Sequence, residues 1–452
     1  VTATPTPPAA IARRTPSARG RGGPPPGPPR TLDMLFTRTA RRVPTAIAVW
    51  DAQGRLSYGE AESRATRLAG ALLHSGVQLG EPVIVHCDDH RQGLVAQLAV
   101  LKAGGVCVPV PAETGRAGRA RISAVSGART ALCSASTRTA WERRDLTFAM
   151  DDPATWVLAD TLPPDPALPC SAAAEGAYLL VGDEDDGGLD SGHLTDHRAW
   201  QLVLSATTSR LGVTDGTVVS ERPLGIRTLS AMWWAFACAG TLHARTGDLE
   251  ALPAGAGRRT TAVGVFSPEE YARVLASATT NPSARPAVFR TVLLIGGPCP
   301  PDLVRRHFEV LPETRLWAQF VPAGGSLPWT MHEFSRQSGP DGDDAAVGHS
   351  LPHVHVQILA PEGGVMPVGG IGEVCASGPA LAFDRIHAPS RHPQAPDTTP
   401  LLRSGWLGRW RANGTLEIAG PAPGLSHGTA RPAYAGPARD TAETAGQKFF
   451  LT

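Results

Sequence analysis

Residues 55–110 read RLSYGEAESRATRLAGALLHSGVQLGEPVIVHCDDHRQGLVAQLAVLKAGGVCVPV, and their periodicity decides the fold class. From Glu62 to Ser75, the residues Ala65, Leu68, Leu72 and Leu73 fall on one face of a helix, which Gly76 stops. PVIVHC at 82–87 is a short run rich in β-branched residues that suits a strand. The next segment puts Leu94, Leu98 and Leu101 on one helical stripe, and VCVPV at 106–110 restores strand character. Strand, helix, strand within this length is what a parallel crossover requires. An α/β fold is predicted.

Outward from this unit the alternation continues. AYLLV at 177–181, a helix near Ala199 to Thr207, RTVLLIGG at 290–297 and a helical PPDLVRRHFEVL at 300–311 extend the α/β part from about 31 to 338. After about Gly339 the character changes: HVHVQIL at 353–359 alternates with period two, and GEVCASG and TLEIAG are short and glycine-bounded. A small β-rich subdomain over about 339–420 is expected. Residues 1–30, with PTPPAA and RGGPPPGPPR, and residues 421–452 hold little that could pack and read as a disordered leader and a linker-like tail. No internal repeat is visible.

Composition excludes several classes of function. Two or three folding units suit 452 residues, and the net charge of +1, with no arginine block among aromatics, argues against a nucleic-acid surface. The seven cysteines form no CxxC pair and suit reduced, buried thiols in a cytosolic protein. No signal-peptide layout opens the chain, and its longest apolar run, Leu229 to Ala244, is too short to span a bilayer. A cytoplasmic protein without membrane contact is expected. Lys102 and Lys448 are its only lysines.

One loop raises a conflict. In LLVGDEDDGGLDSGHLTDHRAW at 179–200, an apolar strand gives way to a glycine-broken loop and then to a helical pattern, the order in which a strand delivers a phosphate to a helix N-terminus. Yet residues 182–191 carry Asp183, Glu184, Asp185, Asp186 and Asp190 and no base. A like-charge contact near 4 Å costs about 4 kcal/mol at an effective dielectric of about 20, less where solvent and salt reach it. The structural alternative is that these acids cap the following helix, which uses the same amides a phosphate needs.

The 55–110 segment, with its L-K-A-G...P element at Leu101 to Pro109, closely resembles the opening of amino-acid adenylation domains of nonribosomal peptide synthetases, members of the adenylate-forming superfamily. AYLLV, HRAW, RTVLLIGG, VGHSLPHVHVQIL, GGIGEVCASGPALAF and LLRSGWLGRWRANGTLEIAG follow in the family's order, so the resemblance covers about 31–420. It implies the large N-terminal subdomain of that fold: two α/β subdomains with mixed sheets plus a small β-rich, barrel-like one. The family activates an amino acid with ATP and passes it to a carrier-protein thiol.

The family's functional positions are occupied here by other residues. Its phosphate-loop lysine falls on Ser191 counting back from His197 and on Asp190 counting forward from Tyr178, while Gly192 survives. The Asp of its Phe-Asp-x-Ser element, which pairs with the substrate amino group, lands on Arg227, and no acid lies between Glu221 and Asp248. Trp233, Trp234 and Phe236 beyond it read as core. In the Asn-x-Tyr-Gly-Pro-Thr-Glu element, Ala323 and Gly324 replace the Thr and the magnesium-holding Glu, with Phe320 and Pro322 retained; neither replacement offers a side-chain oxygen to a hard cation. The ribose-binding Asp falls on Trp406, with Gly405, Arg409 and Trp410 aligned, and Pro421 and Pro423 stand for the following Arg and Asp. Only 32 residues follow Gly420, too few for the family's mobile subdomain, so Lys448 does not match its catalytic lysine.

The resemblance with these departures implies a catalytically degenerate, C-terminally truncated adenylation domain that serves as a structural or docking element. No cofactor is expected, and ATP and magnesium binding should be lost or weak. Such a chain resembles the inactive adenylation domain of bleomycin-type, bithiazole-forming modules. Expected partners are neighbouring synthetase domains, namely a carrier protein and oxidase, condensation or cyclization domains, and a small adenylation-domain activator protein. Two other readings make different predictions. Weak or partner-assisted adenylation requires pyrophosphate exchange, and an ATP-independent amino-acid or peptidyl-intermediate binding module requires a thermal shift with substrate alone. No replacement chemistry is signalled: His353 and His355 form only an HxH, DGDD at 341–344 reads as a solvated loop, and no G-x-S-x-G or HExxH occurs.

Overall fold

The computed structural model describes residues 31–163, 168–181, 192–212, 218–221, 229–244, 262–280, 289–322, 327–336, 346–352, 354–379, 381, 384–386 and 401–422. Helix α1 (Leu32–Arg42) leads into the hairpin of β1 (Ile47–Asp51) and β2 (Gly54–Ser57) and then α2 (Tyr58–His74). Next come β3 (Pro82–His86), α3 (His90–Lys102), β4 (Val106–Pro109), α4 (Arg116–Ser126), β5 (Thr130–Cys133), β6 (Leu146–Ala149) and α5 (Pro153–Thr161). The middle holds β7 (Gly176–Val181), β8 (Gly192–Asp196), α6 (His197–Leu211), β9 (Val218–Glu221), α7 (Leu229–Ala237), β10 (Thr241–Ala244), β11 (Ala262–Phe266), α8 (Pro268–Thr280), β12 (Thr291–Gly296), α9 (Pro301–Val310) and β13 (Arg315–Phe320). Strands β14 (Thr330–Phe334), β15 (Ala346–Ser350), β16 (His355–Leu359), β17 (Gly372–Ser377), β18 (Asp384–Ile386), β19 (Leu402–Trp410) and β20 (Leu416–Pro421) complete the order.

These strands form two sheets. Seven run in the order β18-β8-β7-β4-β3-β5-β6, and thirteen in the order β16-β17-β19-β20-β15-β14-β13-β12-β11-β9-β10-β1-β2. The predicted crossover is present: β3 and β4 pair in parallel around α3, with Val83 opposite Cys107. Strand β3 is buried on both faces, so its side chains serve two cores. Val83 and Val85 join the main core with α2 and α3, while Ile84 joins Ile122 and Val125 of α4 on the other side. The late strands do not close a barrel among the described residues. Apart from β18, which pairs with β8 at the edge of the seven-stranded sheet, they continue the large sheet through the antiparallel pair β14–β15, and β16 is left at its edge.

Helix α2 begins four residues before the predicted Glu62. Ser57 accepts from the Glu60 amide, and the Glu60 carboxylate accepts from the Ser57 amide, a capping box legible as S-x-x-E. Lys102, nearly buried, ends α3 and donates to Thr37 Oγ1 of α1 at 2.9 Å and Glu62 Oε1 of α2 at 2.7 Å. One buried ammonium thereby joins three helices, which gives the L-K-A-G lysine a structural task. Six cysteines are buried, Cys170 is exposed, and all are free thiols. No described helix is long and apolar enough to cross a membrane.

Candidate functional site

The acidic loop joins two antiparallel strands rather than a strand to a helix. Strand β7 ends at Val181 and pairs with β8 from Gly192, with Leu179 opposite Leu194. The expectation of a direct strand-to-helix passage is therefore corrected: GHLTD at 192–196 alternates too briefly to be read as a strand without its partner. The helix cap is corrected as well. Asp196, at the end of β8, caps α6 by accepting from the Ala199 amide at 2.7 Å. Asp183, Asp186, Asp190 and Ser191 lie outside the described residues. Gly192 has a packing reason to remain glycine, since a Cβ there would meet Leu179 Cδ1 at 2.5 Å and Val125 Cγ1 at 3.1 Å.

Beneath this hairpin the side chains interlock. Trp233 of α7 donates its indole N–H to Tyr178 Oη at 2.7 Å, and that hydroxyl donates to Gln97 Oε1 of α3 at 2.8 Å. Gln97 in turn donates to the Gly93 carbonyl, and Trp200 donates to Thr195 Oγ1. Trp233, Trp234 and Phe236 are fully buried, as expected of core residues. They are aromatic because α7 is wedged between the two sheets, packing on β9 and β10 while reaching Tyr178 of β7. Arg227 precedes this helix, outside the described residues.

At the end of β13, Phe320 is buried edge-on against Trp329, and Gln319 donates to Thr207 Oγ1 of α6 at 2.9 Å. Pro322 is the last described residue before the segment that holds Ala323 and Gly324, so those two are not placed. Phe320, Tyr178 and Trp233 belong to one apolar core, which brings the flanks of three predicted elements together.

The structure places two predicted positions side by side. Trp406 of β19 pairs across the ladder with Pro421 of β20, and its half-buried ring packs on the same core. An indole supplies one donor and no acceptor, and a prolyl ring supplies neither. Arg409 is also committed: its Nε and Nη2 clasp Glu417 at 2.9 and 3.1 Å, and Arg411 joins at 2.9 Å. Burial favours a protonated Glu417, but the bonds from Arg409 and Arg411 outweigh it and hold the carboxyl below its usual range. Pro423 lies outside the described residues.

Residues that the sequence reading missed lie at the base of α6. His197 Nδ1 accepts the Leu32 amide at 3.1 Å, which anchors the start of α1. Burial depresses the imidazole pKa to about 4, so it is neutral at pH 7, while burial lifts neighbouring Asp196 to about 6 against the Ala199 hydrogen bond. The HRAW segment gave the only signal for this pair. His355 is exposed on β16, and His353 lies outside the described residues, as do 341–344. Among the described residues, no group of three or more His, Cys, Asp or Glu is placed to hold a metal ion.

Two mixed sheets with helices between them, one of them carrying the β7–β8 hairpin, define the class of fold. The chain belongs to the AMP-binding enzyme family, which matches residues 36–180 and 205–383. It is 28% identical over 411 residues to phosphinothricin tripeptide synthetase PhsB of Streptomyces viridochromogenes, covering 86% of this chain and 33% of that protein. It is 26% identical over 412 residues to tyrocidine synthase 2 of Brevibacillus parabrevis, covering 86% of this chain and 11% of that protein. The chain thus spans a third or less of the length of these relatives. The crystal structure of the nonribosomal peptide synthetase FmoA3 superposes with a TM-score of 0.73 at 23% identity, covering 88% of this chain and 43% of that one. The resemblance to peptide-synthetase adenylation domains is borne out.

Proposed function

We propose that this domain has lost effective binding of magnesium nucleotide and serves as a structural or docking element among the domains of a peptide synthetase. The observation that carries the reading is the Trp406–Pro421 pair, which sets two side chains without acceptors where the family resemblance calls for ribose-binding groups. The sequence supports it at three further elements, with acids in the phosphate loop, Arg227 in place of the substrate-pairing Asp, and Ala323 and Gly324 in place of Thr and Glu, and again at Pro423 in the same element as Pro421. Beneath these positions the Trp233–Tyr178–Gln97 chain is buried and hydrogen-bonded throughout. Retained packing beside substituted polar positions fits selection for shape rather than turnover. The docking role extends to a carrier protein and to oxidase, condensation or cyclization domains, and the bithiazole-forming module is the most specific form of the reading.

Amino-acid-dependent pyrophosphate exchange over a full amino-acid panel, paired with calorimetry of magnesium ATP, tests the proposal. The expected result is background exchange and no saturable heat, together with altered product formation when the domain is deleted from its assembly line. Robust exchange by the isolated chain would overturn it.

A further inference from the structure

A concavity lies away from the substituted positions discussed above. At the carboxyl ends of β3 and β6, a cavity of about 370 Å³ is bounded by α2, the first turn of α3 and α5. Its volume falls within the range of small-molecule sites. Its location has an independent reason. From β3 the chain crosses to β4 on one side and then returns to β5 on the other, so the strand order reverses between β3 and β5. In open parallel sheets, ligands settle outside the carboxyl ends of strands at such a reversal.

The lining gives the chemistry. Arg64 and Arg67 enter from α2 and Arg91 from α3, while Val95, Met150 and Trp156 supply an apolar wall. Trp156 donates its indole N–H to the Met150 carbonyl at 2.8 Å, so its ring is held in place. Two carboxylates also face the space. Asp160 is paired with Arg67, and Asp89 caps α3 through the Gln92 amide at 2.6 Å, with burial raising its carboxyl above the usual range. Arg91 binds buried Asp51 through Nε, its Nη1 lies beside Gly54, and neither Nη atom makes a hydrogen bond among the described residues. Arg64 lies one turn from Glu60, shares the cavity lining with Asp89 and Asp160, and makes no hydrogen bond or ion pair among the described residues. Open guanidinium forks beside an aromatic wall suit a planar oxyanion on an apolar body.

We infer that this cavity is a binding site for a small organic anion, a carboxylate or phosphate ester whose apolar portion lies against Trp156. The inference does not rest on the loss of nucleotide binding, because no residue is shared with that reading.

Calorimetric titration of the full chain with phenyl phosphate, benzoate, inorganic phosphate and benzyl alcohol, up to about 10 mM, tests it. Phenyl phosphate or benzoate should bind measurably, and whichever is tighter identifies the oxyanion. Inorganic phosphate should bind more weakly and benzyl alcohol not at all. In Arg64→Gln, a surface change that leaves the thermal midpoint of the free protein unmoved, binding should weaken by about tenfold. Equal affinity in wild type and Arg64→Gln, or no heat from either aromatic anion, would overturn the inference. Heat from ATP that disappears in Arg64→Gln belongs to this cavity, whereas heat that persists belongs to the phosphate loop and counts against the proposed function instead.

Discussion

The seam between β7 and α7 and the strip where β19 meets β20 both present tryptophan to a core, and they answer to different demands. In the seam, Trp233, Tyr178 and Gln97 each donate to the next, so burial leaves no polar atom of that chain unmatched. In the strip, Trp406 and Pro421 are opposite each other in the ladder, Trp406 packs on the core, and the nearby Arg409 is held by Glu417. The seam serves the stability of this domain whatever its chemistry. The strip needs polar residues only if it handles a nucleotide. A stable domain therefore requires the first and tolerates substitution in the second.

The comparison is most easily broken at the seam. Trp233→Ala opens a cavity in the shared core and should cost about 3–5 kcal/mol in urea denaturation. A loss under 1 kcal/mol would mean that α7 is not wedged as described. The pH dependence follows next. His197 is neutral when folded, with a pKa near 4 against 6.5 unfolded, so its contribution is whole above pH 6.5 and declines as pH falls toward 4. The decline amounts to about 3 kcal/mol at roughly 1.4 kcal/mol per pKa unit. Asp196, raised to about 6, acts in the opposite sense between its unfolded pKa and 6, so the two partly offset each other in the wild type. His197→Gln removes one side of the balance, and its stability relative to wild type should rise as pH falls from 6.5 to 4. A flat difference curve would refute the buried neutral imidazole.

Smaller effects sharpen the contrast. Tyr178→Phe leaves the Trp233 donor and the Gln97 acceptor buried without partners and should cost about 2 kcal/mol. The strip should respond least: the double change Trp406→Asp and Pro421→Arg is expected to alter stability by about 1 kcal/mol or less. It should also restore no pyrophosphate exchange, since the phosphate-loop and magnesium positions stay as they are. Restored exchange would show that the strip alone limits activity.

The sequence by itself determined the α/β class, the parallel crossover around α3, the family, and the apolar fate of Trp233, Trp234 and Phe236. These are carried by periodicity and residue order within short windows, where side-chain direction repeats every two or 3.6 residues. The capping box at Ser57 and Glu60 was equally local and could have been read. Only the tertiary structure decided that the acidic loop bridges two antiparallel strands, that the late strands other than β18 extend the large sheet, and that Lys102 ties three helices together. It alone assembled the arginine-lined cavity, where Arg67 and Asp160 meet across 93 residues of sequence. Such features depend on which distant segments become neighbours, and pairing, burial and charge balance arise from that contact rather than from any local pattern.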